Sequence, residues 1–426
     1  MNNNTQNEKI KSISEKTLVV GIDVGSERHY ARAFDFRNCE LSKGAFAFCN
    51  DEEGFEAFRT WVEGLKEANG KEGVVVGMEP TGHYWFNLGE HVKGLGMRMV
   101  HVNPHHVRKT KELDDNSPSK SDRKDPKVIA GLVNMGRYWE PYMPEGAYAE
   151  IRKLTGLMAV EQGYLTRLKN RLARWLSIHF PNYRSVYANP YSASGLMVLK
   201  AAPLPSDIEG LGEEGVNRIW RGAKVRGVGM KKARELVEAA RHSVGSMEGA
   251  EAARLELGYI LEDYERHLKR LESLTGKVEE KLGEVANAEK LLGIKGVGLK
   301  TVAGFVAEVG DITRFESAKQ VQKLAGLAVV SNSSGKHEGE SHISYRGRKR
   351  LRYVLYEAAV SVVAHNEEFG SIHEYYTTRA GNPLKKMQSI VAVACKLIRV
   401  FFAIMAGGAD YDAGRMLGDI RRPAAA

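Results

Sequence analysis

Two carboxylates interrupt strand-like apolar runs. Asp23 lies inside Leu18-Val19-Val20-Gly21-Ile22-Asp23-Val24-Gly25, and Glu79 closes Val74-Val75-Val76-Gly77-Met78-Glu79. Two further acids follow in Ser121-Asp122-Arg123-Lys124-Asp125. A charge beside a buried strand is costly unless it is paired or bound to an ion. Hard oxygen donors of this kind suit Mg2+ or Mn2+, and two such ions can clamp the attacking and leaving oxygens of a phosphodiester. Glu79 precedes the turn Pro80-Thr81-Gly82-His83, at the strand end where sites of α/β sheets gather. Asp23 can instead cap a bend. Asp125 can instead cap a helix opening at Pro126, because a residue before proline avoids the α region. His83, His101, His105 and His106 lie near the acids in sequence, but form no zinc cage with cysteine and are expected in structural or solvated roles.

A second chemical group lies late in the chain. Between Lys336 and Arg352 there are six Lys or Arg (Lys336, Arg346, Arg348, Lys349, Arg350, Arg352) against two Glu, which suits phosphate contact as well as a solvated basic face. A serine beside these cations could attack a phosphodiester, but Ser331, Ser333, Ser334, Ser341 and Ser344 compete for that role. Upstream, Leu292-Gly293-Ile294-Lys295-Gly296-Val297-Gly298-Leu299-Lys300 has the Gly-x-Gly spacing of a helix-hairpin-helix turn. Its backbone N–H groups, with Lys295 and Lys300, can hold a phosphate; an ordinary helical hairpin is the alternative.

The balance of the chain agrees with a polyanionic partner. Its 426 residues carry a net charge of +9, and 43% of them are hydrophobic. Cys39, Cys49 and Cys395 form no CxxC pair, so a zinc finger or disulfide framework is not expected and the thiols read as reduced. The polar N-terminus lacks a secretory apolar core. The most apolar late stretch, 390–405, contains Lys396 and Arg399 and reads as a buried helix, with no membrane partner. A cytoplasmic protein is expected.

The elements that must position these groups follow from periodicity. Residues 1–16 read as a disordered lead-in. Over 17–145, strands near 18–24, 29–36 and 44–48 precede a helix capped by Asn50 or Asp51, with Phe55, Phe58, Trp61, Val62 and Leu65 on one face. Strand 74–78, helix 85–95 and strand 97–102 complete the order of an RNase-H-like α/β domain. A helical coiled-coil region over 146–287 has Leu154, Leu157, Leu165, Leu168, Leu172 and Leu176 on its first helix. Its second carries Leu257, Leu261, Tyr264, Leu268, Leu271, Val278 and Leu282, and the pair can form within or between chains. A Pro/Gly-bearing insertion occupies 181–250. A mostly α domain, with the Gly-x-Gly hairpin, runs over 288–408, and a tail follows at 409–426.

In this order the motifs resemble the DEDD transposases of insertion sequences, a family that includes the pilin-gene invertases and the bridge-RNA-guided recombinases. The resemblance rests on Gly21-Ile22-Asp23-Val24, Glu79-Pro80-Thr81-Gly82, Ser121-Asp122-Arg123-Lys124-Asp125, the Lys295 glycine motif, and Ala325-Gly326-Leu327 with Ser334-Gly335. It departs at Pro126, where similar proteins carry alanine. The resemblance implies that the first domain is RuvC-like, that Asp23, Glu79, Asp122 and Asp125 bind Mg2+ and that Ser334 is the nucleophile. It implies a site-specific recombinase or transposase acting on double-stranded donor and target DNA, guided by a structured noncoding RNA, in a nucleoid-associated prokaryotic setting. Two exchanging strands require at least two active sites, hence a homodimer or homotetramer. A metal-dependent endonuclease or junction resolvase with water as nucleophile is the alternative. A non-catalytic nucleic-acid-binding protein is a third.

Overall fold

The structure is a computed structural model that describes residues 3–80, 82–115, 124–330, 333–334, 337–338 and 342–421. The chain divides into two compact units, Met1–Met143 and Pro144–Ala426.

The first unit opens with α1 (Asn3–Lys11), where an unstructured lead-in was expected. Polar composition hid its anchors. The Lys9 ammonium donates to the Tyr138 carbonyl at 2.6 Å, and Ile13 just beyond is buried. Strands β1 (Thr17–Val24), β2 (Arg28–Phe34) and β3 (Phe46–Cys49) form an antiparallel meander. Helix α2 (Glu52–Ala68) starts where Asp51 accepts from the Gly54 N–H at 2.8 Å, and buries Phe58 and Val62 of the expected stripe. Then come β4 (Gly73–Met78), α3 (Trp85–Gly94), β5 (Arg98–Val102), α4 (Pro104–Asp115), α5 (Asp125–Asn134) and a short β6 (Tyr138–Trp139). The sheet order is β3-β2-β1-β4-β5-β6; β4 is parallel to β1 and β5 to β4, while β6 pairs antiparallel with β5.

β1 is central, so both faces are covered, and its apolar run is nearly continuous for that reason. Leu18, Val20, Ile22 and Val24 pack under α2 and α3, against Phe58, Val62, Leu88 and Val92. Val19 packs on the other face with Val75, Val100 and the α5 residues Ile129 and Val133. Each fully buried branched side chain contributes roughly 1.5–3 kcal/mol.

Among its described residues the second unit is mostly helical, with two strand pairs. α6 (Gly146–His179) and α11 (Ala250–Gly283) pack antiparallel within one chain. Trp175 Nε1 donates to the Ala253 carbonyl at 2.9 Å, and His267 meets Glu161 at 2.5 Å. Leu257 and Leu261 join a core with Trp175 and Trp220 at one end; Val278 and Leu282 join Phe305 and Phe401 at the other. The apolar stripe therefore turns along the pair, which leaves Leu157 (53%) and Leu268 (41%) exposed although regular spacing placed both in the seam.

The segment expected as an insertion folds into α7 (Tyr183–Val186), α8 (Ala193–Ala201), α9 (Pro205–Gly222) and α10 (Met230–Arg241) around that first core. The hairpin expected near Lys295 opens with a 3-10 turn, Glu289–Gly293, and not an α-helix, before α12 (Leu299–Val309). After α13 (Ala318–Leu324), β7 (Val329–Val330) pairs with β10 (His342–Ile343) around a nested pair, β8 (Ser333–Ser334) and β9 (His337–Glu338). α14 (Lys349–His365), α15 (Glu367–Thr378), α16 (Lys386–Gly407) and α17 (Ala413–Arg421) finish the unit. α16 is long and apolar enough to cross a membrane, yet Val393, Leu397, Ile398 and Phe401 lie in the protein core.

Candidate active site

The two strand acids stand side by side. β1 and β4 are parallel with Gly21 opposite Gly77 and Ile22 opposite Met78, so the next matched pair is Asp23 and Glu79. Matched residues of a parallel ladder project to the same face. Both lie at the C-terminal ends of their strands and are half-buried.

That face is the one covered by α5. A Cβ built on Gly21 would meet the Pro126 carbonyl oxygen at 1.9 Å, and one on Gly77 would meet Val133 Cγ2 at 2.5 Å. The helix thus lies directly on the two glycines. Side chains alternate along a strand, so Gly21 and Asp23 share a face, as do Gly77 and Glu79. The glycines let the start of α5 sink onto the sheet one pleat short of the acids, and its first residue is Asp125.

Asp125 is 6% exposed. It was expected in the N-cap position, but the helix begins one residue earlier; Lys124 holds that position and no side chain caps the helix. Pro126 sits in the first turn, where its missing N–H costs nothing. Relieved of capping, Asp125 accepts from the Lys111 ammonium of α4 through Oδ2, while its buried Oδ1 has no partner among the described residues. A carboxylate oxygen of this kind, on the sheet face that carries two aligned acids, is a donor of the type a hard divalent cation takes. Among the described residues no cluster of three such ligands is complete. Asp122, the fourth expected ligand, lies outside them. The donors present match the expected ion in type, while Asp23, Glu79 and Asp125 do not by themselves gather into a three-ligand group.

Lys111 escaped the sequence reading, since nothing in the run Arg108-Lys109-Thr110-Lys111 singles it out. Gly21 and Gly77 did carry a signal: each stands two residues before a strand acid. Replacing Lys111 by Met leaves buried Asp125 without its ammonium partner. The expected cost is about 1–3 kcal/mol in the metal-free chain. Thermal unfolding in EDTA and in Mg2+ checks it: the variant should gain more from Mg2+ than the parent, and an equal gain would remove Asp125 from the ligand set.

His101 is not part of this set. His101 pairs with Met78 in register and so faces away from the acids. Burial between Trp85 (4.4 Å) and Trp139 (5.8 Å) pushes its imidazole down to about 4, which keeps it neutral. Asn103 accepts from the His105 backbone N–H at 2.9 Å, ordering the start of α4.

In the second unit the expected phosphate contacts separate into two kinds. Arg348 donates to the Glu308 carbonyl at 2.9 Å, Arg350 to the Thr155 carbonyl at 2.5 Å and Arg352 to the Ala325 carbonyl at 2.9 Å. Each of these guanidiniums thus braces a helix or turn end, a partner that nothing local in the sequence shows. Lys295, Lys300, Arg346 and Lys349 are exposed and make no ion pair among the described residues. Ser334 pairs with His337 through the backbone, at the inner end of the nested strand pair. Its side chain lies outside the described residues, as does Lys336.

Comparison with known proteins bears on both units. Residues 20–181 match a family described as Transposase, and residues 288–376 match the Transposase IS116/IS110/IS902 family. An uncharacterized protein of insertion element IS116 from Streptomyces clavuligerus is 26% identical over 91% of this chain and 94% of its own length. A pilin gene-inverting protein of Moraxella bovis is 30% identical over 29% of this chain and 38% of its own. The transposase for insertion sequence element IS1111A of Coxiella burnetii is 36% identical over 24% of this chain and 29% of its own.

Proposed function

Because the chain belongs to the DEDD transposase family of insertion sequences, we propose that it is a DNA recombinase that cuts and rejoins double-stranded donor and target DNA. The observation that carries this reading is the β1–β4 register, which sets Asp23 beside Glu79 on the face where Asp125 begins α5. The strand order, with three antiparallel strands followed by parallel β4 and β5, supports an RNase-H-like first unit.

Asp23, Glu79, Asp125 and Asp122 would hold Mg2+ or Mn2+, which supplies positive charge at the scissile phosphate. Through such an ion the carboxylates would orient that phosphate at the C-terminal ends of two central strands, where water is partly excluded. Ser334 Oγ attacks the phosphorus and loses its proton. An Oγ–P bond forms as the P–O bond to one DNA strand breaks, and the departing oxygen takes up a proton. The hydroxyl of an incoming strand then reverses the step and frees Ser334. One phosphoester replaces another at each stage, so no ATP is needed. A structured noncoding RNA would choose the sites. A homodimer or homotetramer would supply the two serines that exchange requires. Lys295, Lys300, Arg346 and Lys349, with no ion pair among the described residues, offer charge for phosphates of either nucleic acid.

Ser334→Ala tests the chemistry. After incubation with element-end DNA and its associated RNA, a denaturing gel should show a covalent protein–DNA adduct for the parent and none for the variant. Cleavage that persists in the variant, with no adduct from either protein, would instead establish a water nucleophile and a resolvase-type nuclease.

A further inference from the structure

The turn between α9 and α10 lies in a stretch that neither family match reaches. It borders an open groove of about 820 Å3. Arg221, Lys224, Arg226 and Lys231 line it, are exposed, and make no ion pair among the described residues. The one acid in the lining, Glu235, stands 3.8 Å from Lys232. Four free cations around one groove impose a strong local positive potential.

The turn is built and not merely charged. Val225 and Val228 pack inward against the core of Trp220, Leu236 and Val237, which aims Lys224 and Arg226 outward. Gly227 takes a left-handed φ of +78°, which lets the chain reverse, and Gly229 leads directly into α10 with no side chain capping its first N–H groups. The same pattern occurs at the start of α12. Arg226-Gly227-Val228-Gly229-Met230-Lys231 matches Lys295-Gly296-Val297-Gly298-Leu299-Lys300 position by position, basic for basic and glycine for glycine. Gly296 is likewise left-handed, at φ +92°, and Ile294 and Val297 are buried where Val225 and Val228 are half-buried.

We propose that the 221–232 turn is a nucleic-acid-binding site that grips the phosphodiester backbone of a duplex through Lys224, Arg226, Lys231 and the open start of α10. The site goes beyond the strand-transfer reading and needs none of the acids. Its footing is the charge, groove and backbone of this turn itself. Contact with the backbone positions a duplex without reading its sequence.

The test is binding without chemistry, on the full chain in EDTA. Dissociation constants for a DNA duplex and for an RNA duplex of the same sequence are measured across a salt series. In the variant Lys224→Gln/Arg226→Gln/Lys231→Gln, the slope of log K against log salt should fall by roughly 2–3 on the duplex the turn holds, since each lost phosphate contact removes about 0.9 for B-DNA. The arm that changes identifies the duplex. A control with Lys43, Lys153 and Lys277 changed to Gln should keep a steeper slope. The single exposed change Lys231→Glu should lower the slope by about 1 or more, which covers the case of a misfolded triple variant. Parental slopes in both arms for the triple and the single variant, or an equal loss in the control, would overturn the proposal. Neither result touches the acids, whose failure would show in strand joining.

Discussion

Asp23→Asn should abolish strand cleavage and joining while leaving the fold in place. The substitution keeps size and hydrogen-bonding capacity and removes only charge, at a half-buried position beside Glu79. A bound ion supplies several kcal/mol of charge stabilisation in such transfers, and each 1.36 kcal/mol is a factor of ten in rate. Losing one of its carboxylates is therefore expected to slow the reaction by on the order of 10³-fold or more. Glu79→Gln should behave alike. The measurement is the rate of recombinant DNA formation in Mg2+, set beside the melting temperature in EDTA. A variant that joins DNA at the parental rate would remove the acids from the chemistry and favour a protein that only binds nucleic acid.

What could be read from the chain beforehand divides along a physical line. β1 announced itself because a central strand must be apolar on both faces, and Asp23 stood out as the one charge in that run. Asp51 and the Phe58/Val62 stripe mark α2 through local rules of capping and period. These signals lie within a few residues of what they predict. Tertiary partners carry no such mark. Lys111 meets Asp125 only because α4 and α5 pack together, and Arg350 reaches Thr155 across the second unit. A count of basic residues could not tell a carbonyl-bound guanidinium from a free one. Periodicity on α6 and α11 named the packing faces but not their partner. Leu157 and Leu268 obey the repeat and still face outward, because the stripe turns toward different cores at its two ends.

Gly21→Ala should impair the reaction far more than it impairs stability. The added methyl would stand 1.9 Å from the Pro126 carbonyl oxygen and 2.9 Å from the Ala130 nitrogen. Both are backbone atoms of α5, so no rotamer change relieves the clash and the helix itself must lift. Overpacking of this kind costs about 1–3 kcal/mol, offset by the roughly 0.4–1 kcal/mol that Gly→Ala returns through the unfolded chain. Net destabilisation should be only about 1–2 kcal/mol. Asp125, however, immediately precedes Pro126 and must move with it, away from Asp23 and Glu79. A misplacement of about 1 Å can cost on the order of 10²-fold in rate. Gly77→Ala is the matched comparison. Its methyl meets Val133 Cγ2 at 2.5 Å and Ile129 Cγ2 at 3.3 Å, side-chain atoms toward the middle and end of the helix that can turn aside. Joining rates measured well below both melting temperatures should therefore fall steeply for Gly21→Ala and little for Gly77→Ala. Equal losses in the two variants would mean that the seat of α5 on the sheet does not set the position of Asp125.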